Sequence, residues 1–126
     1  MAKRIPILVV DDDQTFLDLI GDALHLGGFK VFKASSGPNG LKIAQRKKLS
    51  AILLDTSMPE MDGLMVLSEL KHNDKTKGIP VIMLTGKTMM GDIDYAFQTG
   101  ADDYITKPVV IREIAEKIKA KLAKLS

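Results

Sequence analysis

The 126-residue chain has no cysteine. Disulfides, thiolate metal sites and cysteine nucleophiles are therefore excluded. It also lacks any apolar run long enough to cross a bilayer. The start, MAKRIPILVV, is basic and then apolar, but the run stops at an acidic triplet with no small-residue cleavage site after it. It reads as a first strand and not as a signal peptide. A strong charge bias is missing too: the formal net charge of +2 is too small to argue for a nucleic-acid partner. Lys117, Lys119, Lys121 and Lys124 cluster near the end, where cations complement a helix C-terminus on a solvated face. There is no internal repeat, low-complexity segment or linker. These absences lead us to expect one soluble, cytoplasmic domain spanning residues 1–126, long enough to bury a single core.

Short apolar runs alternate with helical patterns along the chain. Strands are expected at IPILVV (5–10), KVFKA (30–34), AILLD (51–55), PVIMLT (80–85) and DYIT (103–106). The third is apolar up to its final Asp, as in a strand covered on both faces. The spacing of Phe16, Leu17, Ile20 and Leu24 predicts a helix over 14–26, stopped by Gly27-Gly28. SSGPNG reads as a break, with a second helix from Leu41 to near Lys48. TSMPEMDG reads as a loop, followed by a helix carrying Leu64, Val66, Leu67 and Leu70. Further helices are expected over 88–99, closed by Gly100, and over 110–125, with Ile111, Ile114, Ile118 and Leu122 on one stripe. Five strand–helix units in strict alternation imply an α/β, doubly wound, five-stranded parallel sheet. By analogy with other folds of five such units, its order is expected to be 2-1-3-4-5.

In such a sheet the carboxyl ends of the strands share one edge, where ligands bind. Asp11 and Asp12 follow the first strand, Asp55 ends the third, Thr85 the fourth, and Lys107-Pro108 follows the fifth. The second ends in Ala34-Ser35-Ser36, with nothing charged. Three unpaired carboxylates in one place repel one another, and one lysine offsets a single charge. On this reading Asp12→Ala should raise metal-free stability by about 1–3 kcal/mol. A divalent cation resolves the excess, and an all-oxygen donor set selects a hard ion such as Mg²⁺. No histidine lies near a strand end, which argues against zinc; His25 and His72 fall in helices and read as structural or solvent-facing. A hydroxyl, an ammonium and Mg²⁺ converging on one point suit a phosphoryl group. The chain has no GxxxxGK[ST] loop, and the segment after the first strand is not rich in Ser, Thr or Gly, which weighs against bound nucleotide and FMN. Transfer of the phosphoryl group to a protein aspartate remains.

Two resemblances compete for the accepting residue. Asp11-x-Asp13-x-Thr15 resembles the DxDxT signature of haloacid-dehalogenase-type phosphotransferases, which would make Asp11 the nucleophile of a phosphohydrolase. Thr85 and Lys107 match that family's next two motifs, but only Glu113 and Glu116, inside a helix, follow the lysine. The chain is also short for that family, and Asp55 would have no role. AILLDTSMPEMDG closely resembles the phosphorylation loop of response-regulator receiver domains. Asp11-Asp12, Asp55, Thr85 and Lys107-Pro108 also stand in that family's order and at similar intervals. This resemblance covers essentially the whole chain.

The receiver resemblance implies a flavodoxin-like fold and a signalling switch that is not an enzyme in the ordinary sense, although it promotes its own phosphorylation and dephosphorylation. Asp55 would accept a phosphoryl group from a sensor histidine kinase or phosphotransfer protein. Asp12, Asp55 and the backbone carbonyl of Ser57 would bind Mg²⁺ directly, with Asp11 acting mainly through water. Thr85 and Lys107 would contact phosphoryl oxygens, and the Lys107-Pro108 peptide would be cis. Tyr104 would be the switch aromatic, moving inward with Thr85. Ser57 and Lys87 occupy positions that tune acyl-phosphate lifetime in the family. Val109-Val110-Ile111 departs from the more usual aromatic after Lys-Pro. Asp13 is left to start the first helix, accepting backbone amides. The face of the fourth helix, fifth strand and fifth helix would be the output surface, with a possible phosphorylation-dependent homodimer and no direct contact to nucleic acid or membrane. The chain ends at Ser126, with no output domain, so a stand-alone receiver and a receiver cut from a longer protein both stay open. A receiver-shaped interaction module that is never phosphorylated is the third reading.

Overall fold

The computed structural model describes residues 3–56, 63–86 and 90–125, without the side chains of 90–93. The elements run β1 (Ile5–Val10), α1 (Gln14–Leu26), β2 (Phe29–Ala34), α2 (Gly37–Arg46), β3 (Ala51–Asp55), α3 (Gly63–Lys71), β4 (Val81–Gly86), α4 (Met90–Thr99), β5 (Asp103–Lys107), a 3-10 turn (Ile111–Glu113) and α5 (Ile114–Leu125). All neighbouring strands pair in parallel, in the order β2-β1-β3-β4-β5. This is the expected doubly wound sheet. Among the described residues no helix is long and apolar enough to cross a membrane.

Side-chain alternation divides the sheet between two cores. Ile7 and Val9, Leu53, Ile82 and Leu84, and Ile105 pack with Leu17, Ile20 and Leu24 of α1 and with Ile114 and Ile118 of α5. Leu8 and Val10, Ile52 and Leu54, and Val81 and Met83 pack on the other face with Val66, Leu67 and Leu70 of α3 and with residues of α2 and α4. Covering both faces explains why β3 reads as a continuous apolar run: every one of its residues is buried. Each fully buried Leu, Ile or Phe contributes about 1.5–3 kcal/mol relative to exposure, so these two layers supply the main driving force.

The helix stops are where glycines predicted them. Gly28, just past the Gly27 cap of α1, and Gly100, directly after α4, both adopt positive φ, 100° and 119°. The second helix differs from expectation. It begins at Gly37 and not near Leu41, and it ends at Arg46. Ser36 caps it, its hydroxyl accepting from the Asn39 amide at 3.3 Å. Pro38 falls in the first turn, where a missing N–H costs nothing. Gly40 lets α2 lie against β1, since a Cβ there would meet Val10 Cγ2 at 2.8 Å. The apparent chain-breakers are thus helix-start and close-packing residues. The expected helix over 110–125 is split into the 3-10 turn and α5. Of the helix expected over 88–99, residues 88 and 89 lie outside the described residues, as does most of the TSMPEMDG loop.

Candidate functional site

Alternation also decides which groups meet at the carboxyl edge. Two residues beyond Val9, Leu53 and Ile105, on the α1–α5 side, come Asp11, Asp55 and Lys107. Register levels them: Val10 lies opposite Leu54, Asp55 opposite Leu84, and Gly86 opposite Lys107. Asp11 and Asp55 are 1% and 5% exposed, while Asp12 is exposed. One carboxylate oxygen from each of the three lies within 4.8 Å of the others.

Lys107 Nζ donates to Asp11 Oδ2 at 2.9 Å and stands 3.6 Å from Asp55 Oδ1. Burial works against its charge, but the hydrogen bond to Asp11 and the charges of Asp55 and Asp11 outweigh it and hold the lysine above its ordinary pKa. The other oxygen of Asp11, Oδ1, accepts the Asp13 backbone amide at 3.0 Å. Lys107 is followed by a cis peptide to Pro108. One ammonium against three carboxylates leaves negative charge in excess among the described residues, and the donors are all oxygen. That set fits a hard divalent cation.

Thr85 is fully buried at the end of β4, its hydroxyl donating to the Gly86 carbonyl at 3.3 Å. It faces the opposite side from the carboxylate–lysine group, sharing a small void with Thr56, Met83, Ala96, Phe97 and Tyr104. The half-buried Tyr104 ring meets Phe97 edge-on, with centroids 6.2 Å apart, and Lys121 Nζ lies 6.0 Å from its centroid. Ser57 and Lys87, expected near the site, lie outside the described residues. His25 and His72 are exposed, as expected for residues outside the site.

Asp13 caps α1, accepting the Phe16 amide at 3.2 Å. Its carboxylate serves the helix and not the cluster, which removes the second acid that the DxDxT resemblance needs.

Two neighbours of the site were not singled out from sequence. A Cβ at Gly63 would overlap the Asp55 carbonyl, and the Gly63 amide donates to the Thr56 carbonyl at 3.1 Å, so α3 starts in contact with the backbone that presents Asp55. Phe16, on α1, places its ring centroid 4.8 Å from Lys107 Nζ. A glycine ahead of an apolar helix reads only as a turn residue, and Phe16 reads only as core; no local signal separates these roles.

The family model for the response regulator receiver domain matches residues 7–119. The chain belongs to the response regulator receiver family. The receiver is 36% identical over 116 residues to the DNA-binding dual master transcriptional regulator RpaA of Synechocystis, covering 92% of this chain and 48% of that protein. It is 38% identical over 116 residues to the transcriptional regulatory protein SrrA of Staphylococcus aureus, covering 92% and 47%. The chain thus spans about half the length of the relatives it matches. Among solved structures, a CheY-like receiver domain protein from Methanospirillum hungatei superposes with a TM-score of 0.87 at 33% identity, covering 97% of this chain and 96% of that one. The receiver domain of a sensor histidine kinase from Pseudomonas aeruginosa, described with magnesium coordinated in its active site cleft, gives 0.84 at 27% identity, covering 97% and 99%.

Proposed function

We propose that this receiver, a single domain over residues 1–126, accepts a phosphoryl group on Asp55 from a histidine kinase or phosphotransfer protein and signals the change to a partner. The observation that carries this reading is the buried Asp55 carboxylate, held beside Asp11 and Asp12 with Lys107 3.6 Å away. An Asp55 oxygen forms the new bond to phosphorus as the bond from phosphorus to the donor's imidazole nitrogen breaks. Lys107 turns its ammonium to a phosphoryl oxygen, and the Thr85 hydroxyl donates to another. Asp12 and Asp55 would hold Mg²⁺, which would supply positive charge to offset the carboxylates and the incoming phosphoryl group; the receiver resemblance adds the carbonyl of Ser57, which lies outside the described residues. Asp11 would act on it mainly through water, in keeping with both its oxygens already accepting hydrogen bonds.

As Thr85 moves toward the phosphoryl group it enlarges the void it shares with Tyr104, and the ring moves in from its place against Phe97. That links the acceptor to the α4–β5–α5 face, the surface proposed for a downstream protein or a second copy. RpaA, of which this chain matches 48%, is described as DNA-binding; the proposal for this domain involves no direct contact with nucleic acid. Location in the cytoplasm is part of the same reading, as is acceleration by the domain of its own phosphorylation from small donors.

Incubation with acetyl phosphate and Mg²⁺, followed by intact-mass measurement, tests the proposal. One phosphoryl group should add to the parent and to Asp13→Asn but not to Asp55→Asn. Label retained in Asp55→Asn defeats it, and a parent that never takes label favours the interaction-module reading. Turnover of a small phosphate ester that depends on Asp11 favours the hydrolase.

A further inference from the structure

We propose that Phe16 is a positioning residue for Lys107, holding the ammonium over the acceptor site while its anionic partners change. The proposal rests on the phosphoacceptor reading of Asp55 and deepens it. Lys107 Nζ has Asp11 at 2.9 Å, Asp55 at 3.6 Å and the Phe16 ring centroid at 4.8 Å. This is the shortest of the described approaches of a lysine to a ring; the others lie at 5.5–6.0 Å. The ring is itself held in place. Phe16 is half-buried against the α1–α5 core, and its amide donates to the capping carboxylate of Asp13. Asp13 therefore fixes the helical turn that aims the ring at Lys107.

The chemistry gives the ring a role the carboxylates cannot fill. When Asp55 becomes an acyl phosphate, the lysine must exchange a carboxylate oxygen for a phosphoryl oxygen. A carboxylate holds the ammonium by occupying an N–H donor, so it competes with that exchange. A ring face attracts the cation through its quadrupole and needs no particular N–H. It also covers one side of a side chain that is 32% exposed, limiting the rotamers open to a four-carbon stem. Phe16 thus keeps the charge in place without taking up the donors that the phosphoryl group needs.

Phe16→Leu keeps apolar volume on α1 and removes the ring face, whereas Phe16→Tyr keeps the face. At saturating Mg²⁺, the maximal rate of phosphoryl uptake from acetyl phosphate should fall about threefold or more in Phe16→Leu, the size expected of one cation–ring attraction. Mg²⁺ affinity should stay unchanged, and Phe16→Tyr should recover more than half of the loss. In a Lys107→Met background Phe16→Leu should have no further effect. Proton NMR supplies a readout independent of turnover: the Lys107 ε-methylene protons should show an upfield ring-current shift in the parent and in Phe16→Tyr, lost in Phe16→Leu. Parent-like uptake by Phe16→Leu, an equal fall in both backgrounds, or unshifted Lys107 protons in the parent overturns the proposal. A parent that takes no label defeats the phosphoacceptor reading instead, and the ring-current measurement then decides whether Phe16 positions Lys107.

Discussion

At the scale of single residues, burial separates three adjacent aspartates that look equivalent in sequence. Asp11 is buried and has a donor for each oxygen, Asp12 is exposed, and Asp13 caps a helix. The sequence-based expectation for Asp12→Ala therefore shrinks. Lys107 already offsets the charge of Asp11, and water screens Asp12, so removal should raise metal-free stability by only about 0–1 kcal/mol. Urea unfolding in the presence of a chelator checks this; a gain above that range would mean that the three charges remain strongly coupled. Gly63 gives the opposite case. Its missing side chain makes room for the Asp55 carbonyl, so Gly63→Ala must displace backbone and should cost about 1–3 kcal/mol or more. Phosphoryl uptake should fall with it, because the displaced carbonyl belongs to Asp55. A variant with parental midpoint and uptake would show that the contact relaxes freely.

At the scale of elements, β1, β3 and β4 were legible as apolar runs, β2 and β5 as short β-branched and aromatic stretches between turn residues, and α1 because its stripe and its Gly27-Gly28 stop are both local. The start of α2 was not, since Gly37, Pro38 and Gly40 are breaker residues whose meaning depends on position. In a first turn Pro needs no acceptor for a missing N–H, and against Val10 a glycine is a packing device. If Ser36 caps this helix, Ser36→Ala should cost about 0.5–2 kcal/mol and Ser36→Asp much less. Equal stability of the three proteins in thermal unfolding would place the helix start elsewhere. The division of 110–125 into a 3-10 turn and α5 was equally hidden, because the apolar stripe of Ile111, Ile114 and Ile118 fits both geometries.

At the scale of the whole molecule, the sheet order gathers β1, β3, β4 and β5 on one side of β2, and with them every chemical group of the site. The site is therefore spread over nearly a hundred residues of chain, from Asp11 to Lys107, which are in hydrogen-bond contact. A cation bound there links distant strands and stabilises only the folded state. At free Mg²⁺ a hundredfold above its dissociation constant the gain should be about 2.7 kcal/mol, seen as a melting temperature raised by several degrees and reversed by chelator. Asp12→Ala should flatten that response. A parent melting curve indifferent to Mg²⁺ would count against the carboxylate cluster as a metal site.

The sequence by itself determined the alternation of strands and helices, the sheet they imply and the identity of the strand-end groups, because apolar periodicity and terminal residues are properties of short segments. It also carried the family resemblance, through four motifs in order. Strand alternation divides those groups between two sides of the sheet, Asp11, Asp55 and Lys107 on one, Thr85 and Tyr104 on the other, and tertiary structure alone decided the strand register that brings the first three together. It alone brought Phe16 under Lys107 and Gly63 against Asp55. Phe16 and Lys107 are 91 residues apart, and Gly63 meets Asp55 only because the chain folds back after β3, so no local pattern encodes either contact.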